Sequence, residues 1–253
     1  MRIAVELVPR DKDSFLEELL YIKEYYPLVE MINIPELARF KLHSWEAACL
    51  AAAHFTSIVP HLLALDLALD TKAPWQDALD QALVQEVLLI AGDVPVPLTP
   101  PGRIIYQTTT LEALAKLQQE FPRLRVYAGI DQYREQLGTE IAYAQKKRQA
   151  GAKGFFTQPF FDLKSLVNFL DQVPCAMQDL FVGISPVITK NSQKYWEEKN
   201  KVVFPLDFEP TLAWNKKLAY KIQVLAKEKD FNLYFMPIAI DLKEYLQGLF
   251  INP

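Results

Sequence analysis

The sequence predicts an α/β fold, a single (β/α)₈ TIM barrel, on three observations. Strand and helix signals alternate eight times along the chain. The strand signals are short continuous apolar runs, the pattern of a parallel sheet covered on both faces. The length, 253 residues, suits one such barrel. A doubly wound open sheet is the alternative, but no G-x-G-x-x-G turn follows the first strand. No linker or low-complexity segment divides the chain, so residues 1–253 are expected to be one domain.

The elements follow in order. Residues 3–8 read as the first strand, with Glu6 inside it and Pro9 ending it. Asp13 or Ser14 is the expected cap of a helix whose Phe15, Leu19 and Ile22 share one face. Residues 28–34 form the second strand, stopped by Pro35, and an Ala-rich helix runs over 45–54. The third strand, 57–62, carries His61 near its end, and a helix follows over 75–83. The fourth strand, 86–90, ends at Ala91-Gly92-Asp93, before a Pro-rich loop over 94–102. Leu111, Leu114, Ala115 and Leu117 mark one face of a helix over 111–121. The fifth strand spans 124–128, and the next helix, 139–149, stops at Gly151.

The sixth strand, 154–157, is apolar and aromatic and is followed at once by Gln158 and Pro159. The proline should prevent an interior ladder from continuing. Asp162 stands where the cap of the next helix belongs, ahead of Leu163, Val167 and Leu170. Residues 180–184 are the seventh strand. Residues 189–210 are a charged and aromatic insertion, read as a solvated loop rather than a site, with ligand cover by Trp196 as the alternative. A helix over 211–227, a strand over 233–235 and a helix over 242–250 complete the eighth unit.

Composition excludes several function classes. Apolar residues make up 51% and charged residues 23%, with a net charge of −4, so nothing marks a nucleic-acid or anionic-membrane partner. The two cysteines, Cys49 and Cys175, have no C-x-x-C spacing, which fits a reducing compartment and argues against a thiolate metal site. No His, Asp and Glu set has metal-ligand spacing, so no metal is expected. The chain enters a strand directly after Met1-Arg2 without a secretory signal, so a cytoplasmic location is expected. The longest apolar run, 58–69, is broken by Pro60, His61 and Asp66, and no membrane span is expected.

In a barrel the C-terminal strand ends converge on one face, where such folds carry their chemistry. The polar residues at those ends are Glu6, His61, Asp93, Gln158 and Ser185. Each has a structural reading as well: Glu6 paired with a lysine, His61 packed in the core, Asp93 capping a turn, Gln158 bonded to turn backbone. Acid groups in a low-dielectric barrel mouth have tunable pKa values, which makes the set more informative than its members.

The same stretches resemble methylenetetrahydrofolate reductase. They are Val5-Glu6-Leu7-Val8-Pro9, Val59-Pro60-His61-Leu62, Ile90-Ala91-Gly92-Asp93-Val94-Pro95, Lys147 with Ala150-Gly151-Ala152, Thr157-Gln158-Pro159-Phe160-Phe161-Asp162, and Gly183-Ile184-Ser185-Pro186-Val187. They come in the family's order and span nearly the whole chain. The resemblance implies a barrel that holds FAD and reduces 5,10-methylenetetrahydrofolate to 5-methyltetrahydrofolate with NAD(P)H as electron donor. It implies Glu6 as general acid, Asp93 near flavin and pterin, and Gln158 on the substrate. It assigns Glu140 and Lys147 to the ribityl-phosphate side of the flavin, and His61 and Gly92 to the cofactor site. Opening the methylene bridge generates an iminium cation, so a proton donor and nearby negative charge are what the chemistry needs.

The chain departs from the family pattern at Ala91, where an arginine is usual, and at Asn33, where the second strand lacks the usual glycine. It departs also at residues 129–133 and at 237–241, where a substrate-gripping arginine is usual. These departures keep two alternatives open: a barrel acting on another folate or pterin one-carbon substrate, and a non-catalytic folate-binding subunit without tight FAD binding. A homo-oligomer or a partner subunit is compatible with all three.

Overall fold

A computed structural model describes residues 1–73, 75–78, 84–92, 104–174 and 179–250. Eight parallel strands pair in chain order and close into a barrel, β8 against β1. The strands are β1 Ile3–Glu6, β2 Met31–Ile34, β3 Ser57–Leu63, β4 Glu86–Ile90, β5 Arg125–Ile130, β6 Gly154–Pro159, β7 Leu180–Ile184 and β8 Asn232–Phe235. The helices are α1 Lys12–Tyr25, α2 Ser44–Ala51, α3 Thr110–Glu120, α4 Leu137–Gln149, α5 Leu163–Gln172, α6 Lys190–Asn200, α7 Leu212–Lys229 and α8 Leu242–Leu246. Residues 75–78 are also helical. The remainder of the helix expected there, the Pro-rich loop at 94–102, Asp93 and Cys175 lie outside the described residues.

Strand residues alternate between two cores, because successive side chains point to opposite faces. Outward residues such as Val5, Ile32, Leu89, Phe155 and Leu233 pack against the helices. Inward residues Met31, Val59, Leu88, Tyr127, Phe156, Phe181 and Tyr234 fill the barrel interior. Phe156 stacks on Phe181 at 4.3 Å and 5° between planes, while Tyr127 and Tyr234 meet Phe156 edge-on. The interior is therefore packed by these side chains.

Side-chain caps start α1, α3, α5, α6, α7 and α8, while Gln136 before α4 makes no such bond. Asp162 accepts from the Ser165 backbone N–H at 2.8 Å, as expected. The first helix is capped by Asp11, not Asp13 or Ser14; its Oδ1 accepts from Ser14 N–H at 2.9 Å. Asp11 sits in extended backbone and lets the helix begin one residue after it, a choice that neighbouring Asp and Ser residues leave undecided in sequence. The insertion over 189–210 is not simply a solvated loop. Thr189 caps α6 there, and buried Trp196 packs against Phe161 at 5.2 Å, within a cluster that includes Val187 and Val202.

The N-terminal end of the barrel is closed by a polar network. Arg2 donates to both Glu86 oxygens at 3.1 and 3.2 Å, to Tyr127 Oη at 3.0 Å and to Ser57 Oγ at 2.8 Å. Burial opposes ionisation of Glu86, but hydrogen bonds from Arg2, Ser57 and Tyr127 hold its carboxyl below the usual range. Polar residues at this face of a (β/α)₈ barrel serve stability.

Candidate functional site

At the C-terminal end a cavity of about 400 Å³ opens into the barrel mouth. It is lined by Glu6, His61, Gly92, Gln158, Glu140 and Lys147, every predicted site residue that falls within the described part of the chain. Register places three polar side chains side by side on the inner face of the barrel, two of which, Glu6 and His61, line the cavity. Glu6 of β1 pairs with Asn33 of β2, Asn33 with Val59 of β3, and His61 follows Val59 by two residues on the same face. Ser185 is also buried, without a hydrogen-bond partner for its hydroxyl among the described residues, but it does not line the cavity.

Glu6 is 9% exposed. Desolvation pushes its carboxyl up to about 7, against a hydrogen bond from Tyr234 that favours the ionised form. The phenol of Tyr234 donates to Glu6 Oε2, so the partner of this carboxyl is a tyrosine and not the lysine that a buried glutamate suggests. Burial first, then the Glu6 charge, raises the Tyr234 phenol well above its ordinary value, so it stays a donor. His61 is buried and driven down to about 3 by desolvation, hence neutral near pH 7. Its Nε2 lies 3.5 Å from Asn33 Nδ2, and its backbone carbonyl accepts from Ser44 Oγ at 2.7 Å.

Gln158 reaches the cavity through a bulge. Phe156 pairs with Phe181 and Pro159 with Gly183, so β6 spends one more residue than β7 over the same span. The Thr157 hydroxyl replaces the lost ladder bond, accepting from Gly183 N–H at 2.9 Å and donating to the Gln158 carbonyl at 2.8 Å. Pairing therefore runs two residues past the expected strand end at 157, and β6 stops at Pro159, its last residue. The Gln158 side chain makes no hydrogen bond to the described residues and lines the cavity, which leaves its amide available to a ligand. Gly183 is required here: a Cβ would stand 2.8 Å from the Thr157 carbonyl oxygen and 2.9 Å from the Gln158 carbonyl carbon.

Opposite β1, the end of β5 carries a second cluster. Glu140, in the first turn of α4, accepts from Asp131 N–H at 3.2 Å and from Lys147 Nζ at 3.5 Å. Lys147 Nζ also donates to the Gly129 carbonyl at 2.7 Å and sits 4.4 Å from the centre of the Tyr143 ring. Burial lowers the lysine pKa, while Glu140 opposes that shift. Gln132 and Tyr133, from the loop before α4, tie to the carbonyls of Gln158 and Pro159 at 2.9 and 2.8 Å. Arg134 lines the cavity rim, 3.9 Å from Asp131.

Three residues of this site carried no assignment from sequence: Tyr234, Asn33 and Arg134. Asn33 bears the signal that marks Glu6, a polar side chain inside an apolar strand. Tyr234 bears none, because tyrosine is at home in a strand.

The arrangement fits a flat heterocycle. Phe156 forms part of the wall, and a Cβ on Gly129 would meet only Ile90 Cγ2, at 3.6 Å, so the cavity side of that residue is open. Polar atoms on two sides can read a ring edge, and Arg134 and Lys147 bring cationic groups to the β5 side. Among the described residues no group of three or more His, Cys, Asp or Glu side chains is placed to hold a metal, and no helix is long and apolar enough to cross a membrane.

No protein-family model and no curated protein sequence matches the chain. Solved structures do. One is an uncharacterized protein from Clostridium thermocellum that binds two copies of 5-methyl-5,6,7,8-tetrahydrofolic acid. It is similar with a TM-score of 0.64 at 12% identity, over 98% of this chain and 92% of that one. At this identity the likeness is one of fold.

Proposed function

We propose that the protein binds a reduced folate in the barrel mouth and reduces 5,10-methylenetetrahydrofolate to 5-methyltetrahydrofolate. The observation that carries this reading is Glu6, a buried carboxyl raised to about 7 that lines a cavity of ring-system size. The folate bound by the similar Clostridium thermocellum protein supports the ligand class, and the order of motifs along the chain supports the reaction.

The residues divide the work. Glu6 gives its proton to the nitrogen that leaves as the bridge C–N bond breaks, and the methylene carbon, now an iminium, takes a hydride to become methyl. Asp93 follows cavity-lining Gly92 and is proposed as the second carboxylate that favours this cation. Gln158 orients the pterin edge. A flavin would be held along open Gly129 and Phe156, with its phosphates towards Arg134 and Lys147 and His61 beside its ring. Hydride, drawn from NAD(P)H, is what FAD supplies when bound.

One observation favours a second reading. Lys147 already gives its bonds to Gly129 and Glu140, a closed pair that leaves less for a cofactor phosphate. That suits a folate-binding barrel without resident FAD, acting on another one-carbon substrate or serving as a non-catalytic subunit. Three measurements separate the readings: an absorbance scan of purified protein with FAD titration, fluorescence titration with 5-methyltetrahydrofolate, and an assay of 5-methyltetrahydrofolate formed from 5,10-methylenetetrahydrofolate with NAD(P)H. Flavin binding with NAD(P)H-dependent methyl formation is expected. Folate binding without either redirects the function to the second reading, and absence of folate binding removes both.

A further inference from the structure

The reading of Glu6 as the acid leaves open what holds and tunes it. Tyr234 stands on β8 and Asn33 on β2, the two strands that flank β1. The Tyr234 hydroxyl donates to Glu6 Oε2. On the other side of β1 the Asn33 amide Nδ2 faces His61 Nε2 at 3.5 Å. The Asn33 Oδ1 is buried and has no partner among the described residues.

Tyr234 thus occupies Glu6 Oε2. Glu6 Oε1, in contrast, accepts from no described residue, while the side chain lines the cavity. No charged described group bonds the carboxyl: Tyr234 is its partner among the described residues, Asn33 and His61 follow on β2 and β3, and Asp131, Arg134, Glu140 and Lys147 line the cavity around β5. We propose that Tyr234 is a positioning residue that ties one oxygen of Glu6 and leaves the other as the single proton-bearing atom presented to the ligand.

The proposal rests on the reading of Glu6 as the acid, and it makes a prediction that needs no substrate. A phenol donating to a carboxyl favours its ionised form, so removing that donor must move the Glu6 titration upward. The infrared band of the protonated carboxyl, identified by its loss in Glu6→Gln, is followed against pH in ligand-free wild type and Tyr234→Phe. Tyr234→Phe is expected to raise the midpoint by about one pH unit or more. Site-specific 3-fluorotyrosine at position 234, a stronger donor, should lower it, and this serves if Tyr234→Phe does not fold. In turnover the alkaline limb should move with the infrared midpoint. An unmoved midpoint in both Tyr234 variants overturns the proposal even if folate is reduced normally. A moved midpoint in a protein that never turns over folate upholds the positioning role and removes the acid reading instead.

Discussion

Replacing Glu6 with glutamine tests the physical argument before any ligand is added. In the folded protein this carboxyl releases its proton near 7, whereas in the unfolded chain it does so near the ordinary 4.5. Between those values the folded state holds a proton that the unfolded state has lost. Stability therefore falls as pH rises through that interval and levels off above it. At ~1.4 kcal/mol per pH unit, the wild type should lose roughly 2–3 kcal/mol from this group between about pH 5 and about pH 8. Glutamine keeps the shape and can still accept from Tyr234, but it cannot ionise. Urea unfolding of both proteins at the two pH values gives a double difference in which contributions of other groups cancel. The variant should gain roughly 2–3 kcal/mol relative to wild type at the higher pH. Parallel stabilities would mean that Glu6 ionises as it does in water, and the desolvated-acid argument would be refuted. In the proposed reaction the same variant should lose about 10²–10⁴-fold in rate, as loss of a general acid does.

Four further outcomes follow from the same geometry. His61 is neutral and buried, with its folded value near 3, below the ordinary 6.5, so the wild type should lose stability as pH falls below about 6.5, by up to ~1.4 kcal/mol per pH unit. Acid unfolding of His61→Gln should lack that slope. Gly129→Ala should keep the wild-type melting temperature, since its Cβ meets only Ile90 Cγ2 at 3.6 Å, yet it should weaken 5-methyltetrahydrofolate binding because the methyl enters the cavity. Gly183→Ala, whose Cβ meets backbone 2.8 Å away, should instead cost about 1–3 kcal/mol in chemical denaturation. Asp162→Ala removes the cap of α5, and thermal unfolding should show a loss of ~1 kcal/mol with ligand affinity unchanged.

The sequence alone determined the barrel, because alternation of apolar runs with helical periodicity is a local signal repeated at every unit. Length then selected closure over an open sheet. It also marked Glu6, His61 and Gln158, since a polar residue inside or at the lip of an apolar strand stands out without any knowledge of neighbours. Partners were decided only by tertiary structure. Whether Glu6 met a lysine or a tyrosine depended on β8 closing against β1, a contact between residues 6 and 234 that no local pattern encodes. The bulge that admits Pro159 into β6 depended on Gly183 of the next strand offering its N–H to Thr157. Helix α6 and the cluster around Trp196 formed inside a segment whose charge reads as solvated, because Phe161 and Val187 arrive from outside it and join Val202 of the same segment to bury one ring. Periodicity is written residue by residue along a chain, whereas the protonation of a buried acid is set by whatever the fold brings against it.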